Sequence, residues 1–465
     1  MAVVRPRTRW LLLLTAAAGC ADEAASGPDL ILVSVDTLRA DRLSAYGAAR
    51  DCDGDPAAPW SVRGLAARGV TYEWCWAAAG QTVPSLGSFW TGKPPLEHGG
   101  ITNLHPVQLP SRAERLQEQG YVAHARVANR CLTPGIGLNR GFDSYAIRFG
   151  PDEAGIPAEL AGAASATIRN GQSLLLWAHF MTPHQPYSPP PPNDRRYTER
   201  SDPQGSNDVL AQLHRSPELA DAATVEHLRG LYDGEVRSAC GYVEDLLERL
   251  DAEYRKAGRG GLLDNAVVVF FADHGEELAD HHAYFMHAKS LYSGVIRVPL
   301  IIAGRGFPSG RREPRPLGLW EVLSVVLDGA QPDAGPHCAA WKARFYSVRD
   351  ERWTLVHNPC HDRNGPLEPP EDVPFYYEPV ALYDRLADPT EQHDVAAQHP
   401  QETLRLLAAL RDWYGALHVL PVEDAALDDA PSLQELGYAD VAGGEADCPP
   451  WPPQRWEAPS PGAPR

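Results

Sequence analysis

No apolar run in this chain of 465 residues is long enough to cross a bilayer. The first twenty residues, MAVVRPRTRWLLLLTAAAGC, hold only a short apolar stretch, Trp10 to Ala18, where a spanning helix needs about 20 residues. There is no block of Lys and Arg: net charge is −19 and pI about 5.3, which excludes the clustered basic surface of a nucleic-acid-binding protein. The eight cysteines show no CxxC or metal-type spacing, which excludes a zinc ribbon or a dithiol redox motif. No internal repeat is present, so a solenoid is excluded. Proline is plentiful at 43 residues and points to long irregular connections. With 43% hydrophobic and 22% charged residues the composition is that of a globular protein, long enough for one large and one smaller domain.

The short leader has an address. Arg5, Arg7 and Arg9 precede the apolar stretch, and small residues precede Cys20, the pattern of a secretion signal. AAAGC followed by ADEAASG resembles a bacterial lipoprotein cleavage box, so the expectation is an exported protein held in the cell envelope by a lipid on Cys20, periplasmic or surface-facing. Seven cysteines then remain, an odd number, and at least one is unpaired.

Residues 29–35, DLILVSV, form a continuous apolar run rich in β-branched residues, as expected of a strand buried on both faces. Residues 265–271 (NAVVVFF) and 173–178 (SLLLWA) repeat the design, and helical patterns at 110–119 and 225–250 lie among them. Strands alternating with helices predict an α/β sheet covered on both faces, with polar sites beyond the carboxyl ends of the strands. Asp36, His184 and the pair Asp273-His274 fall at those ends. Two carboxylates and an imidazole suit a divalent cation such as Ca²⁺, Mn²⁺ or Zn²⁺. Thr82, followed by Pro84 and closed by Gly92, reads as a helix N-cap. After about residue 335, short strands at 345–348 and 353–357, a Pro-rich insertion at 358–379 and a helix at 400–418 predict a small α+β subdomain. The expected divisions are a leader at 1–20, a linker at 21–27, a catalytic domain at 28–334, the subdomain at 335–420 and an acidic, Pro-rich tail at 421–465 expected to be disordered.

Seven stretches occur in the order found in another set of proteins: LILVSVDTLRADRLSAYG, QTVPSLGSFWTG, EHGGITN, PHQPY, FFADHGEEL, SLYSGVIRVPLII and ALYDRLADPTEQHDV. Over residues 28–415 the chain resembles the sulfatase family of the alkaline phosphatase superfamily. The resemblance implies an alkaline-phosphatase-like central sheet, one or two metals at its carboxyl edge, and a nucleophile on a helix N-terminus. It implies Asp36, Asp273 and His274 as metal ligands and Thr82 as nucleophile and further ligand. It implies Asn103 as a donor to substrate oxygens, His184 beside the ester or its leaving group, and His287 or Lys289 against the anion. His98 is expected to support its loop, His179 and Arg297 to be structural, and Arg39 to lie on a solvated or salt-bridged face. His281 and His282 are expected to be solvated rather than to hold a second metal.

The departures shape the functional expectation. Thr37 stands where many arylsulfatases have a second aspartate, Leu86 where the family motif has Arg, and Ser293-Gly294 where relatives often have Asp-Glu. Thr82 replaces the Cys or Ser that becomes formylglycine, so that modification is not expected. The expectation is a metal-dependent hydrolase of sulfate or phosphate esters, with phosphoester or phosphonate cleavage preferred on mechanism. The alternatives are a phospho-headgroup transferase acting on surface glycans or lipids, and an inactive binding lipoprotein of the same fold.

Overall fold

A computed structural model describes residues 27–281, 284–288, 290–333, 335–341, 345–358 and 379–421. The leader with Cys20, the linker to residue 26, His282, Lys289, nearly all of the Pro-rich insertion, Cys360, Cys448 and the tail from 422 lie outside the described residues.

The three apolar runs form the middle of an eight-stranded sheet. Asp29–Val35 lies between Ala266–Ala272 and Leu174–Phe180, parallel to both, and every residue of the three is buried. Val122–Val127 and Ser144–Ile147 extend the sheet on one side. On the other, Leu300–Gly304 runs antiparallel to its neighbours, making the sheet mixed, and Gly69–Tyr72 and Arg311–Glu313 complete it. Register matters most for function. Val35 pairs with both Ala272 and Phe180, so Asp36, Asp273 and the segment after Phe180 emerge from one edge at one level.

The helix Thr82–Thr91 is buried along almost its whole length. Its two aromatic residues fasten it to the strands that carry the site: Phe89 stacks on Phe271 with centroids 4.4 Å apart, and Trp90 meets Trp177 edge-on at 5.3 Å. Each such ring buries a large apolar area and adds a directional contact worth about 1 kcal/mol beyond it. The 35-residue helix Ala222–Lys256 lies elsewhere on the fold, its start capped by Asp221, whose Oδ1 accepts from Thr224 N at 2.7 Å.

A four-stranded antiparallel sheet follows, ordered His337–Trp341, Phe345–Arg349, Trp353–His357, Val380–Asp384, with the helix Pro400–Gly415 packed on it through Leu406 and Leu410. Its other face shares a core with the larger part: Phe345, Val356 and Tyr383 pack with Trp76, Tyr292 and Ile296. The five described cysteines, Cys52, Cys75, Cys131, Cys240 and Cys338, are all buried free thiols.

Candidate active site

Asp36 follows the first strand and is fully buried. Its two oxygens have different surroundings. Oδ2 accepts from Asn129 Nδ2 at 2.7 Å and lies 3.3 Å from His179 Nε2 and 3.4 Å from Thr82 Oγ1. Oδ1 has no hydrogen-bond partner and faces His274 Nε2 at 3.6 Å. Asp273 repeats the division: Oδ1 accepts from His274 N at 2.9 Å, and Oδ2 is unpartnered, 3.5 Å from the same His274 Nε2.

The tautomer of His274 makes this arrangement diagnostic. Its Nδ1 lies 3.0 Å from the Gly275 carbonyl, which can only accept, so the neutral ring carries its proton there. Burial, and then the neighbouring His287, lower its pKa to about 3, so the ring is neutral. Nε2 therefore presents a lone pair to two unpartnered carboxylate oxygens in a site closed to water. Three facing lone pairs repel unless a cation or a proton lies among them, and a second nitrogen tied to a carbonyl is the usual support for a ligating histidine. These three ligand atoms lie within 4.8 Å of one another, and they fit a divalent cation. Burial and then the charge of Asp36 push the Asp273 carboxyl well above its ordinary range. Burial also acts to raise the Asp36 carboxyl, but the His179 hydrogen bond and nearby imidazoles hold it below. A bound cation would favour the charged form of both carboxyls.

Thr82 does not cap its helix. It is the first residue of the helix, not its cap: Gln81 takes the N-cap position, and no side chain of Gln81 or Thr82 bonds to the first turn. The expectation of a capping hydroxyl is thus corrected. Thr82 Oγ1 instead accepts from Asn129 Nδ2 at 3.2 Å and lies 3.5 Å from His274 Nε2. The capping bond comes from Asn103, whose Oδ1 accepts from Val83 N at 2.9 Å. Pro84 has no N–H and Ser85 N donates to Gln81 O, so an open set of helix-end N–H groups is not what the helix offers; Thr82's own N–H is the group left at the tip. Asn103 Nδ2 is buried without a partner beside it.

Three imidazoles gather next to this tip. His184 and His287 rings lie 5.0 Å apart, and His287 and His274 rings 4.5 Å apart. Burial lowers the pKa of His184, and that of His287 to about 4. His287 Nδ1 lies 3.0 Å from Glu276 Oε1, and burial raises that carboxyl to about 8. The loop bearing His184 is held from two sides. Glu153 accepts from Thr182 N and Oγ1 at 3.1 and 2.8 Å, and Glu235 accepts from Ser188 N at 2.7 Å.

Two residues beside the site carry more than expected. Asn129 follows the alternating strand Val122–Val127, which ends at the same edge; that position was the one available signal, since an isolated Asn in a loop carries none. His179, read as structural, touches Asp36 and is oriented by a relay: Trp177 Nε1 donates to Ser34 Oγ at 2.9 Å, and Ser34 Oγ lies 2.8 Å from His179 Nδ1. Asn129→Ala removes donors to both Thr82 and Asp36. It is expected to lower kcat about 10- to 100-fold, the usual cost of losing a support to a metal ligand, with KM little changed, as steady-state kinetics will show.

The other expectations sort plainly. His98 supports its loop, with Nε2 3.1 Å from the Pro84 carbonyl and Nδ1 accepting from Gly100 N. Arg39 is buried and paired with Asp41 and Asp280. Arg297 donates to the Glu73 carbonyl and lies over Trp74. Leu86 is fully buried in the core. Ser293 N and Oγ bond to Glu391, leaving no acidic pair at 293–294. Thr37, in place of a second aspartate, has φ of 53°, a strained value for a β-branched residue, with its carbonyl held by Tyr232 OH at 2.7 Å.

His281 is not solvated. It is buried, stacks on Tyr292 at 3.6 Å, and has Nδ1 3.1 Å from Glu277 Oε2 and Nε2 3.2 Å from the Glu391 carbonyl. Burial opposes its charge, but the Glu277 carboxylate and these bonds raise its pKa to about 9. A folded-state pKa above the unfolded value of about 6.5 stabilises fully below pH 6.5 and is lost as pH rises through about 9. Denaturant unfolding is expected to show up to about 3 kcal/mol less stability above pH 9 from this group, a loss absent in His281→Gln.

Comparison with known proteins places this geometry. A model of the sulfatase family matches residues 28–315. Arylsulfatase K of Danio rerio is 29% identical over 104 residues, covering 22% of this chain and 18% of that protein. A multifunctional alkaline phosphatase superfamily protein of Trinickia caryophylli is 24% identical over 186 residues, 34% of each chain. The matches thus span about a third or less of these relatives' own length. The phosphonate monoester hydrolase from Silicibacter pomeroyi shares the fold, with a TM-score of 0.63 at 18% identity over 86% of this chain and 97% of that one. A family match running from the first strand to beyond the last metal-ligand candidate, over more than half of the chain, shows that the chain belongs to the sulfatase family.

Proposed function

We propose that this protein is a metal-dependent hydrolase of anionic esters in which Thr82 is the nucleophile, with phosphodiesters and phosphonate monoesters preferred over sulfate esters. The observation that carries the reading is the place of Thr82 Oγ1, at a helix tip within 3.5 Å of both Asp36 and His274. Asp36, Asp273 and His274 would hold a divalent cation, which would supply a Lewis acid for the ester and favour the ionised hydroxyl.

The chain's own residues account for the rest. Asn129 orients the Thr82 hydroxyl, which gives its proton to His184 or His287 and forms a bond to the central phosphorus or sulfur as the bond to the leaving oxygen breaks. Asn103 Nδ2 and the Thr82 N–H are the donors for a non-bridging oxygen. His184 and His287 are the groups that hand a proton to the departing oxygen and take one from the water that releases Thr82. That second step is attack by water at the central atom, which suits phosphorus. Release of sulfate from a threonyl ester has no such ready route, since no aldehyde hydrate is available to expel it. Export and a lipid on Cys20 complete the proposal: an envelope enzyme acting outside the cytoplasm.

The test is a panel of p-nitrophenyl sulfate, phosphate, phosphate diester and phenylphosphonate with the metal-loaded protein. Turnover of the diester and phosphonate above the sulfate supports the reading. Sulfate as the preferred substrate overturns the preference, and no turnover of any ester overturns the enzyme.

A further inference from the structure

The opposite edge of the sheet carries a feature that the hydrolytic site does not use. Where the three central strands begin, Gly27, Asp29, Arg169, Gln172, Arg259 and Arg305 line an open depression of about 460 Å³. Arg169 and Arg305 are exposed, and Arg259 is half-buried. Three guanidinium groups thus face one carboxylate, on a chain whose net charge is −19. That carboxylate is already committed. Asp29 Oδ1 accepts from Leu174 N at 2.8 Å, and Oδ2 accepts from Tyr254 OH at 2.6 Å and Arg259 at 3.3 Å. Arg259 also reaches the Ile168 carbonyl and lies over Tyr254, so it is built into the wall. Arg169 donates to Ser165 Oγ at 2.6 Å and lies within the field of the Glu253 carboxylate.

The position of this depression says what would meet it. Gly27, the first described residue, lies on its rim, and Cys20 is seven residues upstream. Seven residues reach at most about 25 Å. A lipid on Cys20 would therefore keep this edge within about 25 Å of a bilayer. We propose that the Arg169–Arg259–Arg305 depression is a docking surface for the headgroups of anionic phospholipids, and that it turns the catalytic edge away from the membrane. The proposal rests on the lipid tether given above and is independent of the hydrolytic reading.

Full chain and its Arg169→Gln/Arg305→Gln variant are to be compared by flotation with vesicles of phosphatidylcholine alone and of phosphatidylcholine with phosphatidylglycerol. An arginine at an anionic surface contributes about fivefold in affinity, so the double variant is expected to lose about 25-fold on the anionic vesicles and nothing on the neutral ones. Unchanged ester turnover and melting in the variant would show that fold and catalytic site are intact. Equal binding of wild type and variant to anionic vesicles overturns the proposal, as does a wild type that does not distinguish the two vesicles. Displacement from anionic vesicles by soluble glycerol phosphate overturns it too, since it shows a small-anion site rather than a bilayer surface. Cys20→Ser, measured alongside, reads the tether alone, and a failed ester panel with retained phosphatidylglycerol preference would overturn only the hydrolytic reading.

Discussion

Replacing Thr82 with alanine is expected to lower kcat by about 10³-fold or more while leaving the protein as stable as before. The two halves of this result belong together. A capping Thr changed to Ala costs about 1 kcal/mol, because a helix-end N–H loses its acceptor. Here that acceptor is Asn103, and Gln81 occupies the cap position, so the hydroxyl can be removed without unbinding the first turn. A loss of activity with an unchanged denaturation midpoint isolates the chemical role. Turnover within tenfold of wild type would remove Thr82 as nucleophile, whatever the stability. The covalent state offers an independent reading: mass spectrometry after a slow phosphonate substrate is expected to find the added mass on the peptide containing Thr82 and none in the variant.

Asp273→Asn should produce the opposite pairing of effects in the protein without metal. Asp36 Oδ1 and Asp273 Oδ2 are buried, unpartnered and turned toward the same lone pair of His274. Burial and the Asp36 charge raise the Asp273 carboxyl pKa, a cost to stability at neutral pH that Asn does not carry, so the metal-free variant is expected to melt at or above the metal-free wild type. Metal content and activity are both expected to be lost, the latter by about 10³-fold. Adding metal at a hundredfold excess over its dissociation constant should stabilise the wild type by about 3 kcal/mol and the variant not at all. Melting curves with and without metal, beside elemental analysis, check both. If metal stabilises wild type and variant equally, the cation is held elsewhere.

The sheet and the candidate metal triad were legible because each rests on a local pattern. An apolar run such as Asp29–Val35 has no use except between two neighbours, and an aspartate at its end must then stand at the sheet edge. What stayed hidden depends on pairs far apart in sequence. His281 looks solvated in a stretch with adjacent histidines, yet its surroundings include Glu277 four residues back and Glu391 from the loop after the small sheet. Asn129 gains its role only because Val122–Val127 lies next to Leu174–Phe180, which no motif announces. Asn103 was expected to donate to substrate, and its second task, holding Val83 N, is a matter of helix-tip geometry that spacing does not encode. The departures at Thr37 and Leu86 are explained in part: Leu86 is ordinary core, and Thr37 keeps a strained backbone without the second carboxylate.

The core shared by the small sheet and the larger part bears on how catalysis would fail. The segment carrying His287 is pinned on its far side by residues of the small subdomain: Arg349 donates to the Leu291 carbonyl, Glu391 accepts from Ser293 N, and Tyr292 packs with Tyr383 and Phe345. In the proposed mechanism, His287 is therefore only as well placed as a remote layer outside the site. Loosening that layer would misplace His287 while leaving the metal ligands on their strands. Heat or mild denaturant should accordingly pass the molecule through a form that still holds its cation and has already lost turnover, and damage to the small sheet would be mistaken, in a kinetic assay, for damage to the active site.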